Sequence, residues 1–341
     1  MGVTVDNMGI VALQVVAEYH SQKEIAELNS YLAYETGWAI AFEEICGVFG
    51  INPVNTTPRD FGNAVARWQE ANGLLPADGV FDNISWEKFR IQYMNRFITN
   101  YKYKPDMPKT PQWLKSKKPL RKKYDVPVML QHNDPTCWAV SANMVEKYYT
   151  GKYTNFIVNV SARMKELSDN YSMDENDALY EAFKERREVL DVLQHIRDEN
   201  TKHILDDEIK RYKKELSIIE IGQQEMKWVQ AGFRRVYNEI DSHFSRYDLM
   251  FHLVTKGPLM AVHDPKFLFY SEYSDGVQDD SNHVSVITGM DLEKDLVYIN
   301  DPNLKKKDNE VKRQLVIAAI AILRRDSRQN SLWFYENQKS H

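Results

Sequence analysis

Between Tyr101 and Pro127 the chain is punctuated by Pro105, Pro108, Pro111, Pro119 and Pro127. Proline removes a backbone donor and clashes with the preceding helical turn, so no long helix can run through this stretch. The stretch reads as a linker between the elements on either side. At 341 residues two domains, each with its own core, are expected. We divide the chain into residues 1–100, a basic Pro-rich linker at 101–127, and residues 128–341. The linker carries Lys102, Lys104, Lys109, Lys115, Lys117, Lys118, Arg121, Lys122 and Lys123. Those charges suit an anionic polymer, but aromatic interleaving is sparse. The plainer reading is an extended tether, solvated or packed along its neighbour. With a net charge of −5, no nucleic-acid partner is expected.

The first part reads as short helices from about Tyr31 to Phe97, broken at Gly50, Asn52-Pro53 and Asp78-Gly79. Trp38, Phe42, Ile45 and Phe49 form one apolar stripe at helical spacing. Phe61, Val65 and Trp68 form a second, and Trp86 and Phe89 begin a third. Cys46 lies in the first stripe and reads as a core thiol. Cys46 and Cys137 fall in different domains, so both are expected to be free.

The run Phe61 to Gln69 ending in Trp68-Gln69, then Asn72-Gly73-Leu74, Asp78-Gly79-Val80-Phe81 and Ser85-Trp86, resembles the peptidoglycan-binding-like three-helix domain. It departs from that family at Asp82-Asn83, where Gly is usual. The resemblance implies the fold first. Members either bind cell-wall glycopeptide or serve as spacers and regulatory modules.

Residues 128–341 open with a helix, pass through a long charged helical region and close with alternating apolar strands, an α+β order. Ser172 and Glu175 suit a capping box. Leu179, Phe183, Leu190, Leu193 and Ile196 follow at helical spacing, and Ile204, Ile209, Tyr212, Leu216 and Ile219 begin a second helix. We expect an inserted helical hairpin at about 172–222.

Chemistry concentrates around Gln131-His-Asn-Asp134-Pro135-Thr-Cys137-Trp138. Asp134 is a natural N-cap and Pro135 suits the first helical position, so Cys137 falls in the first turn of a helix. Unpaired N–H groups and the helix dipole favour a thiolate there. Gln131 stands six positions earlier, where its amide can serve a tetrahedral oxyanion alongside the Cys137 N–H. Farther on, Gly257-Pro258-Leu259 is followed by the alternating segments at 283–289 and 296–302. These read as strands joined by a turn at 291–295, so His283 begins one strand and Asp301 ends the next. An antiparallel pairing brings those ends together. Asp301 then holds one imidazole nitrogen while the other faces a thiol.

Gln131, Cys137-Trp138, Gly257-Pro258-Leu259, His283 and Asn300-Asp301-Pro302 resemble the papain-like, bacteriocin-processing-peptidase-like cysteine peptidases. A plant-pathogen avirulence protease belongs to the same neighbourhood. The resemblance implies Cys137 as nucleophile, His283 as base and acid, Asp301 as orienter and Gln131 as oxyanion donor. Asn300 is the competing orienter, since some papain-like enzymes use Asn. His132 and His263 lack the strand context of His283 and read as structural or rim-exposed. His195 and His203 sit on the insertion without a third metal ligand. No cofactor is expected.

Two functions follow. One is a cysteine peptidase or amidase acting on peptidoglycan peptides or on target-cell proteins, as an antibacterial effector with an immunity protein or secretion-system component as partner. The other is an inactive papain-like binding protein that recognises cell wall or a protein. Residues 1–18 lack the pattern of a secretory signal, and Asp6 breaks the myristoylation pattern. The apolar run Leu315 to Leu323 is too short to span a bilayer. The expectation is a protein cytoplasmic in its producer and exported by a specialised secretion system.

Overall fold

The computed structural model describes residues 20–99, 101–116, 120–129, 137–152, 228–229, 231–236, 243–263, 283–302, 312–315 and 331–338. The helical hairpin expected at 172–222 lies outside the described residues.

The N-terminal part is helical: α1 (Gln22–Glu35), a 3-10 turn (Trp38–Ala41), α2 (Phe42–Phe49), α3 (Pro58–Ala71), α4 (Asn83–Gln92) and α5 (Met94–Thr99). The starts follow local chemistry. Ser21 and Glu24 form a capping box at α1, and Thr57 and Asp60 form one at α3, where Pro58 occupies the first turn. Asp82 accepts from the Ser85 N–H at α4. The three apolar stripes meet in one aromatic cluster, in which Trp38 stacks on Phe61 at 5.6 Å and Phe81 meets Phe89 edge-on at 5.3 Å.

Gln69 explains the turn chemistry that follows it. Its Nε2 donates to the Val80 carbonyl at 3.0 Å and to Ser85 Oγ at 3.1 Å, while its Oε1 accepts from the Gly79 N–H at 3.0 Å. One buried amide thus holds the Asp78-Gly79-Val80 turn against the start of α4. Gly79 has φ +78°, and a Cβ there would stand 2.7 Å from the Gly62 carbonyl oxygen. Only glycine allows both the conformation and that approach. The sequence reading missed most of α1. Its buried face is Ile25, Asn29 and Ala33, with no large apolar stripe to find. Asn29 instead donates to the Gly79 carbonyl and accepts from the Phe81 N–H.

The second part is built on a seven-stranded antiparallel sheet. Its strands are β1 (Arg121–Lys123), β2 (Phe233–Arg235), β3 (Leu259–His263), β4 (His283–Asp291), β5 (Leu296–Asn300), β6 (Lys312–Leu315) and β7 (Ser331–Tyr335). The order is β2-β7-β3-β4-β5-β6, with β1 pairing β4. Two helices accompany it, α6 (Cys137–Thr150) and α7 (Arg246–Lys256). Helix, sheet and helical N-terminal part together form an α+β architecture.

Of the two arrangements expected for the linker, solvated or packed along its neighbour, the described residues show the packed one, built into both parts. Lys104 is buried; its Nζ pairs with Glu44 of α2 at 2.7 Å and its backbone N–H donates to Asp248 of α7 at 2.7 Å. Trp113 Nε1 donates to the Thr56 carbonyl, and Leu114, Leu120, Tyr124 and Val126 are buried. Arg121–Lys123 joins the sheet against Gly289–Asp291. Among the described residues a continuous cluster of buried side chains runs from Trp38 and Phe61 to Val286 and Phe334. Two separate cores were expected; the abundance of lysine and proline had concealed the apolar residues that bridge them. Arg90, on α4, closes the junction from the other side. It is fully buried, ion-pairs with Glu87 and donates to Gln338 Oε1 at 2.5 Å, while Gln338 Nε2 donates to the Lys256 carbonyl.

Lys256 is buried at this junction, with Nζ 3.0 Å from His252 Nδ1 and no carboxylate at salt-bridge distance among the described residues. Burial pushes the ammonium down to about 7, against a smaller opposing pull from Glu44. The unfolded chain therefore holds this proton more tightly, so Lys256 lowers stability most at pH 7 and below, and the penalty fades as pH rises towards 10.5. We expect Lys256→Met to raise the melting temperature by several degrees near pH 7, with the difference from wild type shrinking by pH 10. Paired thermal melts across that range check both the sign and the slope.

Candidate active site

The α6 helix begins at Cys137. The amide groups of its first turn lack intrahelical acceptors, so partial positive charge gathers where the sulfur sits. Cys137 is buried, at 8% exposure. Cys46 contrasts with it. That side chain is fully buried, and burial together with Glu43 and Glu44 pushes its thiol up to about 12, an unreactive state at neutral pH.

Helix α6 lies against β3 and β4. Ser141, one turn after Cys137 on the same helical face, donates from Oγ to the Val284 carbonyl at 2.9 Å. Trp138 packs beneath the helix start, and Trp228 Nε1 donates to its carbonyl at 3.3 Å. Trp228 in turn meets Trp333 of β7 at 5.1 Å. The hydroxyl of Ser141 thus fastens the cysteine's helix to the strand that starts with His283. Its position four residues after Cys137, on the same helical face, is the sequence signal for this contact.

His283 opens β4 and is buried. Its Nε2 lies 3.1 Å from Asp301 Oδ1, just past the end of β5, and its remaining ring nitrogen is the one available to the side-chain hydrogen bond with Cys137. Burial opposes the charged ring, but the Asp301 carboxylate, then Cys137, and the hydrogen bonds to both, outweigh it and push the imidazole up to about 10. The ring, held between a carboxylate and a sulfur, is thus biased towards its charged form. Asp301 is fully buried.

Asn300, the alternative orienter, points elsewhere. Strand alternation turns it to the other face, where its Nδ2 donates to the Val126 carbonyl at 2.8 Å. It ties β5 to the chain leading out of β1. His263, expected to be structural or rim-exposed, is buried at 1% exposure and stands directly across β3–β4 from His283. Gln131 and His132 lie outside the described residues, as do Asp134, Pro135, His195 and His203. Among the described residues no cluster of His, Cys, Asp and Glu could hold a metal ion. No helix among them is long and apolar enough to cross a membrane.

A thiol at a helix start, hydrogen-bonded to an imidazole that is itself held by a buried carboxylate, can generate and use a thiolate. Comparison with known proteins gives one result on the same part of the chain. The family model described as the Peptidase_C39 like family matches residues 123–321, more than half of the chain. No curated protein and no solved structure gives a significant match.

The charge on His283 depends on Asp301. We expect Asp301→Asn to lower the His283 titration midpoint from about 10 by two units or more, read by NMR of the imidazole C–H resonances. In the wild type this elevated midpoint stabilises the fold fully below pH 6.5 and ceases to do so as pH rises through about 10. The variant should therefore lose stability mainly at neutral pH and converge with wild type above pH 10.

Proposed function

Because this chain belongs to the Peptidase_C39 like family, which makes it a papain-like cysteine peptidase, we propose that it hydrolyses amide bonds through Cys137, His283 and Asp301. The observation that carries this reading is the placement of one buried imidazole between the Cys137 thiol and the Asp301 carboxylate. In a binding protein such an arrangement would bury charge without return.

The steps follow from the charges. The Cys137 thiolate attacks the scissile carbonyl carbon, and the electron pair of the C=O bond moves to oxygen. The α6 start supplies an N–H to that oxyanion, and Gln131 is the proposed side-chain donor beside it. Collapse expels the amine, which takes its proton from the His283 imidazolium and leaves a thioester on Cys137. Neutral His283 then accepts a proton from water, the hydroxide attacks the thioester, and the carboxylic acid leaves as the thiolate is restored. Asp301 keeps the ring oriented throughout and stabilises its charged form at the start and end of the cycle, without accepting its proton.

The helical N-terminal part bears on the substrate. Glu44–Lys104–Asp248 and Arg90–Gln338 hold it against the sheet, so it presents any bound polymer at a set position relative to Cys137. A peptide amide within the bacterial cell wall is the substrate we favour on that ground. An antibacterial effector carried by a specialised secretion machine, with an immunity protein in the producer, is the setting in which such an enzyme fits. A cytosolic protein substrate in the target cell is the alternative the test separates.

The test is incubation of wild type and Cys137→Ala with purified peptidoglycan and, in parallel, with a denatured bacterial proteome, reading new termini by mass spectrometry. We expect stem-peptide or crossbridge products from the wild type and at least about a thousandfold less from Cys137→Ala. New protein termini with no muropeptide products would replace the wall substrate with a polypeptide one. No thiol-dependent product from either would defeat the hydrolase reading.

A further inference from the structure

β3 reads Leu259-Met-Ala-Val-His263, and the antiparallel register pairs His263 with His283, Ala261 with Ser285 and Leu259 with Ile287. Cross-strand partners share a face. A strand buried along its whole length calls for an apolar residue at its end, yet this one ends in a histidine that is 1% exposed. Its Nε2 lies 3.1 Å from Ser285 Oγ, two residues along β4 from His283 on the same face. The two imidazole rings stand 5.5 Å apart at 73°, edge to face.

An aromatic face within about 6 Å of a cation stabilises it, and the effect grows when water is excluded. A second cation at that distance in a buried site would do the opposite, since burial and like charge both disfavour it. The Ser285 hydroxyl pairs with one nitrogen of the His263 ring, as donor or as acceptor according to the tautomer. We propose that His263, oriented by Ser285, is a positioning residue whose neutral ring supports the imidazolium form of His283 and fixes that ring between Cys137 and Asp301. The role deepens the peptidase reading and rests on it. Among the described residues, the ionisable groups that face His283 are Cys137 from α6, Asp301 from the end of β5 and His263 from β3. His263 is the one of these that meets His283 ring to ring, with the planes at 73°.

The experiment compares His263→Phe, His263→Leu and Ser285→Ala in the full chain. The His283 titration midpoint is read by imidazole NMR, and the basic limb of kcat/KM on whichever peptide substrate is cleaved. Phe keeps an aromatic face and loses the polar bond; Leu keeps bulk and loses the face. We expect Leu to lower the midpoint by about half to one unit, with a matching shift of the basic limb, a severalfold fall in kcat and little change in KM. Phe should stay within about 0.3 unit of wild type, and Ser285→Ala should fall between. A Leu variant with the wild-type midpoint, or a Phe variant lowered as far as Leu, would overturn the proposal. Should Leu fail to fold, the Phe and Ser285→Ala midpoints decide: both unchanged from wild type, or Phe the lower of the two, defeats it. Because the midpoint is measured without turnover, the two failures are distinguishable: absence of hydrolysis alongside the expected NMR shifts would defeat the peptidase reading while leaving the coupling of His263 to His283 demonstrated.

Discussion

The docking of α6 on β3 and β4 is the contact on which the rest of this structure depends. Cys137 and His283 are 146 positions apart along the chain, and this contact is what brings them to hydrogen-bonding distance. The Ser141 hydroxyl on the Val284 carbonyl links the two elements directly. A single such bond contributes about 1 kcal/mol to stability. Its geometric effect is larger, since it fixes the strand that begins with His283 against the helix that begins with Cys137. Buried Trp138 and the Trp228–Trp333 pair fill the space below, so the helix start cannot settle into a different depth.

The far end of the same helix is held by the N-terminal part. Tyr149 is buried there, with its hydroxyl 3.4 Å from the Lys256 carbonyl and a side-chain hydrogen bond with Arg90. A Cβ on Gly257, which has φ +85°, would collide with that hydroxyl. Arg90 carries a positive charge into a site with no access to water, and Glu87 makes this tolerable by pairing with it. The helical unit therefore shares its buried polar groups with the peptidase sheet. Separating the two would leave Arg90, Lys104 and Lys256 without the surroundings they are folded into, which argues that they fold as one cooperative body.

Charge is distributed unevenly between the two ends of this body. At the junction, Lys256 is driven towards the neutral form and His252 is held well below its usual range by burial, then Lys256 and Lys104. At the site, His283 is driven towards the charged form by Asp301 and Cys137. The difference lies in the partners. Burial alone disfavours any ion, and only a carboxylate within bonding distance reverses that preference. A carboxylate reaches His283 because β5 ends one residue before Asp301, where the chain leaves the ladder and the side chain can turn towards the neighbouring strand.

Much of this was legible in the residues themselves. Local chemistry determined the helix starts at Thr57 and Asp82, the Gly79 turn, the placement of Cys137 at a helix start, and the alternation that separates Asp301 from Asn300, because caps, positive φ and the two-residue strand period act over a few positions. Tertiary structure alone decided what touches what across the chain. It made Lys104 a buried anchor, drew Arg121–Lys123 into the sheet, set Ser141 on Val284 and placed His263 against His283. Composition reads lysine as solvated and a lone histidine as incidental. Burial and pairing are properties of the residues that arrive from elsewhere in the sequence, and no window of local sequence contains them.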